Sequence, residues 1–529
     1  MPEEPLVLKG IDWKSAFPFT LIFRSFRVAI HPSKLVLALI AVIMVYLGGR
    51  VLDAIWPVGS RAVPSEVQMY MASRTEANPA ASFKRLRAER RDAVVQAYRH
   101  ELELSGHPDG DLGDIRADIV RRRTEEEASA REQYNPANVS DAEEKSRVQV
   151  LQDTAVAAAF NRATDRWAAA QAYKGAGLFI TFFVQQAGTA QHVVDAAYSG
   201  HWVGPEGVFD QILRFLTVGP GWAMRHHYVF FTLLGVYALI IWAIFGGAVA
   251  RIAAVHVARD EKISFRQALA FSSAKFLSFV SAPIIPMAII LGIGFVVFVG
   301  ALVMNIPFLG PIIGGALFFL ALGAGFIMTL VLLGLLGGFN LMYPTIAVEG
   351  SDSFDAISRS FSYLFARPWR MGFYTLVAAA YGTICYVFLR YFVMLILAVT
   401  HFFVGAGIFT HANSTEPLWT AMWPDPLTAR RLSFSVDALT LGPGEYLGAF
   451  LVAFWVHLTI AVLAAFLISF YLSSNTIIYV LMRHEVDATE MDDVYLEQTD
   501  EEFAESTAPP APPPVPPAEA TAPSGEPTG

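Results

Sequence analysis

No charged side chain interrupts the chain between Lys275 and Glu349, and this constrains the fold more than any other feature. The runs 276–304 and 310–348 each exceed the roughly 20 residues that carry a helix across hydrocarbon, and the turn between them is uncharged as well. Inside lipid such runs satisfy their peptide groups only as helices. Of the 529 residues 54% are hydrophobic and 16% charged, with a mean hydropathy of +0.44. A soluble domain carries about a quarter charged, so the expected fold class is all-α and integral to a membrane.

About six spans are expected, near 35–55, 228–249, 276–304, 310–348, 371–400 and 446–482. The run 310–348 is overlong for one bilayer, so it must tilt, kink or protrude. Its glycines suit close helix packing, or less commonly a pore lining. Arg390 falls near the far end of the fifth run and is expected to snorkel there. The stretch 391–409 offers a seventh span as the alternative. Trp419 and Trp423 suit a loop anchored at the interface. The first run follows no cleavable signal peptide, so residues 1–55 read as an interfacial helix and a signal anchor.

Residues 56–227 have a different character. Phe83, Leu86, Val94, Ala97, Tyr98 and Leu102 keep a helical period among many Arg and Glu, and Val148 to Trp167 do so again. Two long charged helices, arranged as a hairpin, are expected in this insertion. The apolar segment 178–184 and the face of Phe209, Ile212, Leu213 and Leu216 are expected on the bilayer surface or over the spans. Residues 483–529 read as an acidic, Pro-rich, disordered tail.

Two basic elbows follow the second and fourth runs and share a loose pattern. One reads Ala254-Val255, Ser264-Phe265, Ala268-Leu269, Ser272; the other Ala347-Val348, Ser353-Phe354, Ala356-Ile357, Ser360. The ends of the chain carry the two halves of a third, so three helix-elbow-helix units would account for six spans. Lys and Arg cluster before the first run and in both elbows, whereas the turn after Met304 has none. The positive-inside rule then places both termini and both elbows in the cytoplasm, in a bacterial inner membrane, with 56–227 outside.

Glu349, Asp352 and Asp355 stand beside Arg359, Arg367 and Arg370 at the mouth of the fourth and fifth runs, and Arg259 lies in the preceding elbow. Such charges form gates or anionic headgroup sites, although ion pairing that holds an elbow at the interface is commoner. His457, deep in the last run, is a functional candidate by position, with a neutral histidine bonded to a neighbouring helix as the bland alternative. The single cysteine, Cys385, supports neither a disulfide nor a thiolate metal cluster. No phosphate loop, His-Glu-x-x-His or Gly-x-Ser-x-Gly pattern occurs. The expectation is therefore a non-enzymatic protein with no cofactor and no nucleic-acid partner. It would organise protein partners through 56–227 and the tail, with a permease or channel as the alternative and a lipid-directed enzyme third.

Tyr343-Pro344-Thr345-Ile346-Ala347-Val348-Glu349-Gly350, Ser358-Arg359-Ser360-Phe361 and Arg367-Pro368-Trp369 resemble polytopic bacterial membrane families distantly similar to the membrane domain of glycerophosphodiester phosphodiesterases. The resemblance covers residues 246–370 and implies the fold class; no phosphodiesterase domain accompanies it.

Overall fold

The computed structural model describes residues 17–412, 416–429, 434 and 441–496. Within them the chain is all-α, apart from a two-residue pairing of His411–Ala412 with Glu416–Pro417. Six helices are long and apolar enough to cross a membrane: Pro32–Ile55, Tyr228–Arg259, Phe276–Asn305, Phe318–Glu349, Pro368–Gly405 and Gly444–Asp487. They are the first to sixth spans of an integral membrane protein. The alternative seventh span does not form, because most of 391–409 belongs to the single 38-residue fifth helix. At about 1.5 Å per residue that helix is roughly 57 Å long and must extend beyond the hydrocarbon.

Chain connectivity puts the insertion at one end of the spans and both elbows at the other. At the elbow end the second, fourth and sixth helices meet. Ala250, Ala254, Ala347, Val348, Ile478, Tyr479 and Leu481 form the core there, and the small residues let backbones approach closely. The overlong run 310–348 is broken rather than straight: Leu309–Ala316 forms a separate short helix before Phe318–Glu349. Gly334 and Gly337 receive Phe361 and Leu364 of the elbow helix Ser353–Ala366, where an added Cβ would lie 2.6 and 2.7 Å from those side chains. Gly323 and Gly325 meet nothing within 4 Å.

The charged insertion contains three long helices rather than the expected two: Pro79–Ser105, Leu112–Gln133 and Ala142–Gln171. The middle one escapes a periodicity reading because few apolar residues mark it. Ile115 and Ile119 pack with Leu102, Ala163 and Ala170, while Asp118 gathers Arg121 (2.6 Å), Arg122 (2.8 Å) and Arg166 (3.4 Å).

Helix Leu178–Tyr198 leans on the first span, whose Asp53 accepts the N–H groups of Phe179 (2.8 Å) and Ile180 (3.1 Å) at its start. Further along, Gln191 accepts a 2.6 Å hydrogen bond from Arg390. Arg390 therefore does not snorkel into headgroups: it is buried under the insertion. Helix Val208–His226 turns Trp222 and Ala223 inward and leaves Phe209, Ile212, Leu213 and Leu216 exposed just before the second span. Trp419 and Trp423 do not face the interface either. They are buried against Val393, Leu397 and Val456 of the fifth and sixth spans, with Trp419 Nε1 donating to the His401 carbonyl at 2.9 Å.

Candidate functional site: an ionic hub at the elbow end

The fourth helix stops at Glu349 because Gly350 turns into the left-handed region, with φ +62°. A side chain there would also strike the ring of Tyr495, its Cβ lying 2.7 Å from Cδ1. Two residues on, Asp352 caps the elbow helix by accepting the Asp355 N–H at 2.9 Å. That helix carries Arg359 back to Glu349, with Nη1 2.9 Å from Oε2, while its Nε lies 3.1 Å from both Asp355 oxygens. From the sixth span come the Tyr479 hydroxyl, which donates to Glu349 Oε1, and Arg483 Nε at 3.3 Å. These two positions are one helical turn apart and so share a face. The Glu349 side chain, 9% exposed, thus ties together the fourth span, its elbow and the sixth span.

Two further couples extend the hub. Tyr363 donates to Asp487 Oδ2 at 2.5 Å. Burial, then the Asp487 carboxylate, pushes this phenol up to about 12, so it stays a donor at neutral pH. Arg370 Nη1 meets Glu485 Oε2 at 2.5 Å, and the Tyr374 hydroxyl donates to the other Glu485 oxygen. Burial works against the charge of Arg359, but Asp355 and Glu349 outweigh it and hold the guanidinium above its ordinary value.

The expectation of a disordered tail from 483 onward is corrected for its first part. Helix continues to Asp487, Ala488 turns it at φ +54°, and residues 489–496 fold back as a strap. Val494 is buried in the core, and the Tyr495 N–H donates to the Val348 carbonyl at 2.8 Å. Arg251 of the second span clamps the strap, donating to the carbonyls of Ala347 (2.8 Å) and Tyr495 (2.7 Å) with its guanidinium 4.4 Å over Phe271. Arg483 closes it with a 2.5 Å pair to Asp493. Residues 497–529, including the Pro-rich stretch, lie outside the described residues.

Of the positions singled out in the sequence, Glu349, Asp352, Arg359 and Arg370 come together here. Arg367 and Arg259 are exposed and make no ion pair among the described residues. His457 is elsewhere and is also exposed. Its Nδ1 lies 2.7 Å from the Ala453 carbonyl of its own helix and its ring is stacked 5.3 Å from Phe434, so it neither bonds a neighbouring span nor faces the bundle interior. The sequence marks Arg251, Tyr479 and Arg483 only as parts of elbows, and neither they nor Tyr363 and Tyr495 stand out in it as site residues. Only Val494 and Tyr495, apolar residues within an acidic stretch, gave a local signal. Chemically the arrangement grips: its carboxylates are engaged by guanidiniums, hydroxyls or backbone amides.

At the other end a cleft of about 1030 Å³ opens between Leu178–Tyr198 and Val208–His226, lined by Gln185, Thr189, His192, Gln211 and Arg214. Fully buried Glu66 borders it, accepting from the Val63 N–H (2.8 Å), Trp222 Nε1 (3.3 Å) and His227 Nε2 (2.8 Å), with Arg87 Nε at 3.2 Å. Among the described residues no group of three or more His, Cys, Asp or Glu could hold a metal ion. No protein-family model, curated protein or solved structure matches the chain.

Proposed function

We propose that this integral membrane protein is a non-catalytic scaffold: a rigid six-span base in a bacterial inner membrane that presents the 56–227 insertion to partners outside and keeps both termini in the cytoplasm. The observation that carries this reading is how the charge is distributed. The hub charges clamp the chain to itself, whereas Arg85, Glu89, Arg90, Glu143, Glu144 and Arg147 crowd the open faces of the three-helix unit, with Val150 and Leu151 exposed beside them. Exposed arginines beside apolar residues are the features of this surface that suit protein recognition. The alternative is a permease pathway lined by His457 and the glycine-rich fourth helix, but His457 is exposed, Gly323 and Gly325 meet nothing within 4 Å, and Gly334 and Gly337 are filled by Phe361 and Leu364.

Two measurements on the full-length protein test the proposal. Cysteine probes at exposed Ala80 and Ser362, in a Cys385→Ala background, should label from opposite sides of intact cells, Ala80 from outside. Charge reversal at Arg85, Arg90 and Arg147 together should abolish cross-linking of a specific partner to the three-helix unit while lowering stability by no more than about 2 kcal/mol, since two helical ion pairs become like-charge pairs. Equal labelling of both probes would overturn the topology. Selective flux through reconstituted protein, with no partner lost on charge reversal, would overturn the scaffold.

A further inference from the structure

Away from the hub, where the first span meets the second and sixth, basic side chains converge on one carboxylate. Arg24 Nη2, Arg27 Nη2 and His256 Nε2 lie 3.5, 3.1 and 3.5 Å from Asp260 Oδ1. Behind them His31 faces His256, with ring centroids 5.9 Å apart. Deeper still, Lys34 has no exposed surface, and its ammonium has a single hydrogen bond among the described residues, to Ser473 Oγ at 3.3 Å. The Nδ1 atoms of His31 and His256 are buried without a partner among the described residues. Lys34 makes no ion pair with a carboxylate among these residues, and Asp260 is already shared by two guanidiniums and the His256 imidazole.

To keep its charge, a buried ammonium needs a counter-charge or an array of acceptors, and one hydroxyl supplies neither. The two guanidiniums and Lys34 offer only N–H donors here, and each imidazole can offer one, so what would complete the cluster is an anion with several acceptor oxygens. Asp260 marks where it would sit. Asp260 sits at the end of the second span in the left-handed region, φ +56°, and its side chain is 60% exposed, so the carboxylate fills the mouth of the cluster without sealing it.

We propose that Arg24, Arg27, His31, Lys34 and His256 form a binding pocket for one phosphate-type anion, and that its occupant in the membrane is the headgroup phosphate of an anionic phospholipid displacing Asp260. Guanidiniums give the forked, charge-assisted hydrogen bonds that phosphate oxygens accept, and Lys34 adds a point charge from beneath. The pocket lies where the first span begins and the second ends, at the level where headgroups meet protein. It shares no residue with the Glu349 hub or the three-helix unit, so its failure and that of the scaffold reading are distinguishable.

The test titrates the full-length protein in neutral detergent with phosphatidylglycerol, phosphatidylcholine and inorganic phosphate, counting bound molecules by native mass spectrometry. Phosphatidylglycerol should bind at least about tenfold tighter than phosphatidylcholine. Arg27→Gln should remove most of that preference. So should Lys34→Met, which keeps the volume of the side chain and relieves a buried charge, so the fold persists. Asp260→Asn, which removes the internal competitor, should raise phosphatidylglycerol affinity. Equal binding of the two lipids, or a preference unchanged in both the Arg27 and Lys34 variants, would overturn the pocket. Inorganic phosphate that binds without any lipid preference would overturn the lipid occupant.

Discussion

Alanine at Glu349 is expected to lower the unfolding free energy by about 3–5 kcal/mol, the range for removing one partner from a buried ion pair. The size follows from what is stranded. Arg359 and Arg483 lose the carboxylate between them, the Tyr479 hydroxyl loses its acceptor, and the Glu349 side chain is only 9% exposed, so water cannot fully replace it. The strap should loosen too, because Arg483 holds Asp493 while Tyr495 bonds the backbone beside Glu349. Thermal unfolding in detergent gives the first quantity and hydrogen exchange at 489–496 the second. Arg483→Ala in the Glu349→Ala background should cost far less than in the wild type, because the two groups act on one network. Additive losses, or a loss below about 1 kcal/mol with the strap still protected, would show that the hub does not hold the helix ends together.

The legible and illegible parts of this fold separate along a physical line. The spans are legible because hydrocarbon imposes a length and a composition that any 20-residue window displays. Glu349, Asp352 and Arg359 are legible as a cluster because they lie within one elbow, where Asp352 caps the helix and Arg359 reaches ten residues back to Glu349. Their partners on the sixth span are not: Tyr479 is 130 residues away, and nothing local distinguishes a tyrosine that bonds a carboxylate from one at a lipid interface. Burial is harder still to read. Lys34 and Arg390 look alike as cations beside apolar runs, yet Lys34 is enclosed by the bundle and Arg390 is covered by a helix of the insertion, 199 positions from its partner Gln191. His457 misleads in the opposite sense, since centrality within an apolar run does not say which face of the helix carries the ring.

The helix ends also share one solution to a general problem. The second, fourth and sixth helices each stop at a residue in the left-handed region: Asp260, Gly350 and Ala488. At the first two a capped elbow helix follows, started by the Ser264–Gln267 box and by Asp352. A left-handed turn followed by a side-chain cap is a compact way to reverse into an interfacial helix. It also explains why the hub forms where it does. A sharp stop leaves the last helical side chains, Glu349 and Arg483 among them, facing one another instead of trailing into solvent.

The second large effect is expected at Glu66, whose replacement by alanine should cost about 3–5 kcal/mol in the insertion. This carboxylate is fully buried and serves Arg87, Trp222, His227 and the Val63 N–H, so its loss strands a guanidinium and three donors in one place. Glutamine keeps an acceptor and should cost less, which separates the loss of charge from the loss of hydrogen bonds. Acid provides an independent check. Burial pushes the Glu66 carboxyl up, but the hydrogen bond from His227 and the charge of Arg87 pull it further down, so its folded value lies below the ordinary one. Its contribution is therefore present above an unfolded value of about 4.3 and is lost as pH falls through the folded value. His226, stacked 3.9 Å from Phe83, is lowered by burial and then by His227, so it is kept neutral in the fold. Its contribution starts to fall earlier, once pH drops below about 6.5. Unfolding of the wild-type insertion, followed by hydrogen exchange over 208–226, should thus weaken in two stages on acidification, and Glu66→Ala should shrink the lower stage, to which Asp118 also contributes, while sparing the upper. A lower stage of the same size in both proteins would mean that Glu66 is not ionised in the folded insertion and that its neighbours are held by packing alone.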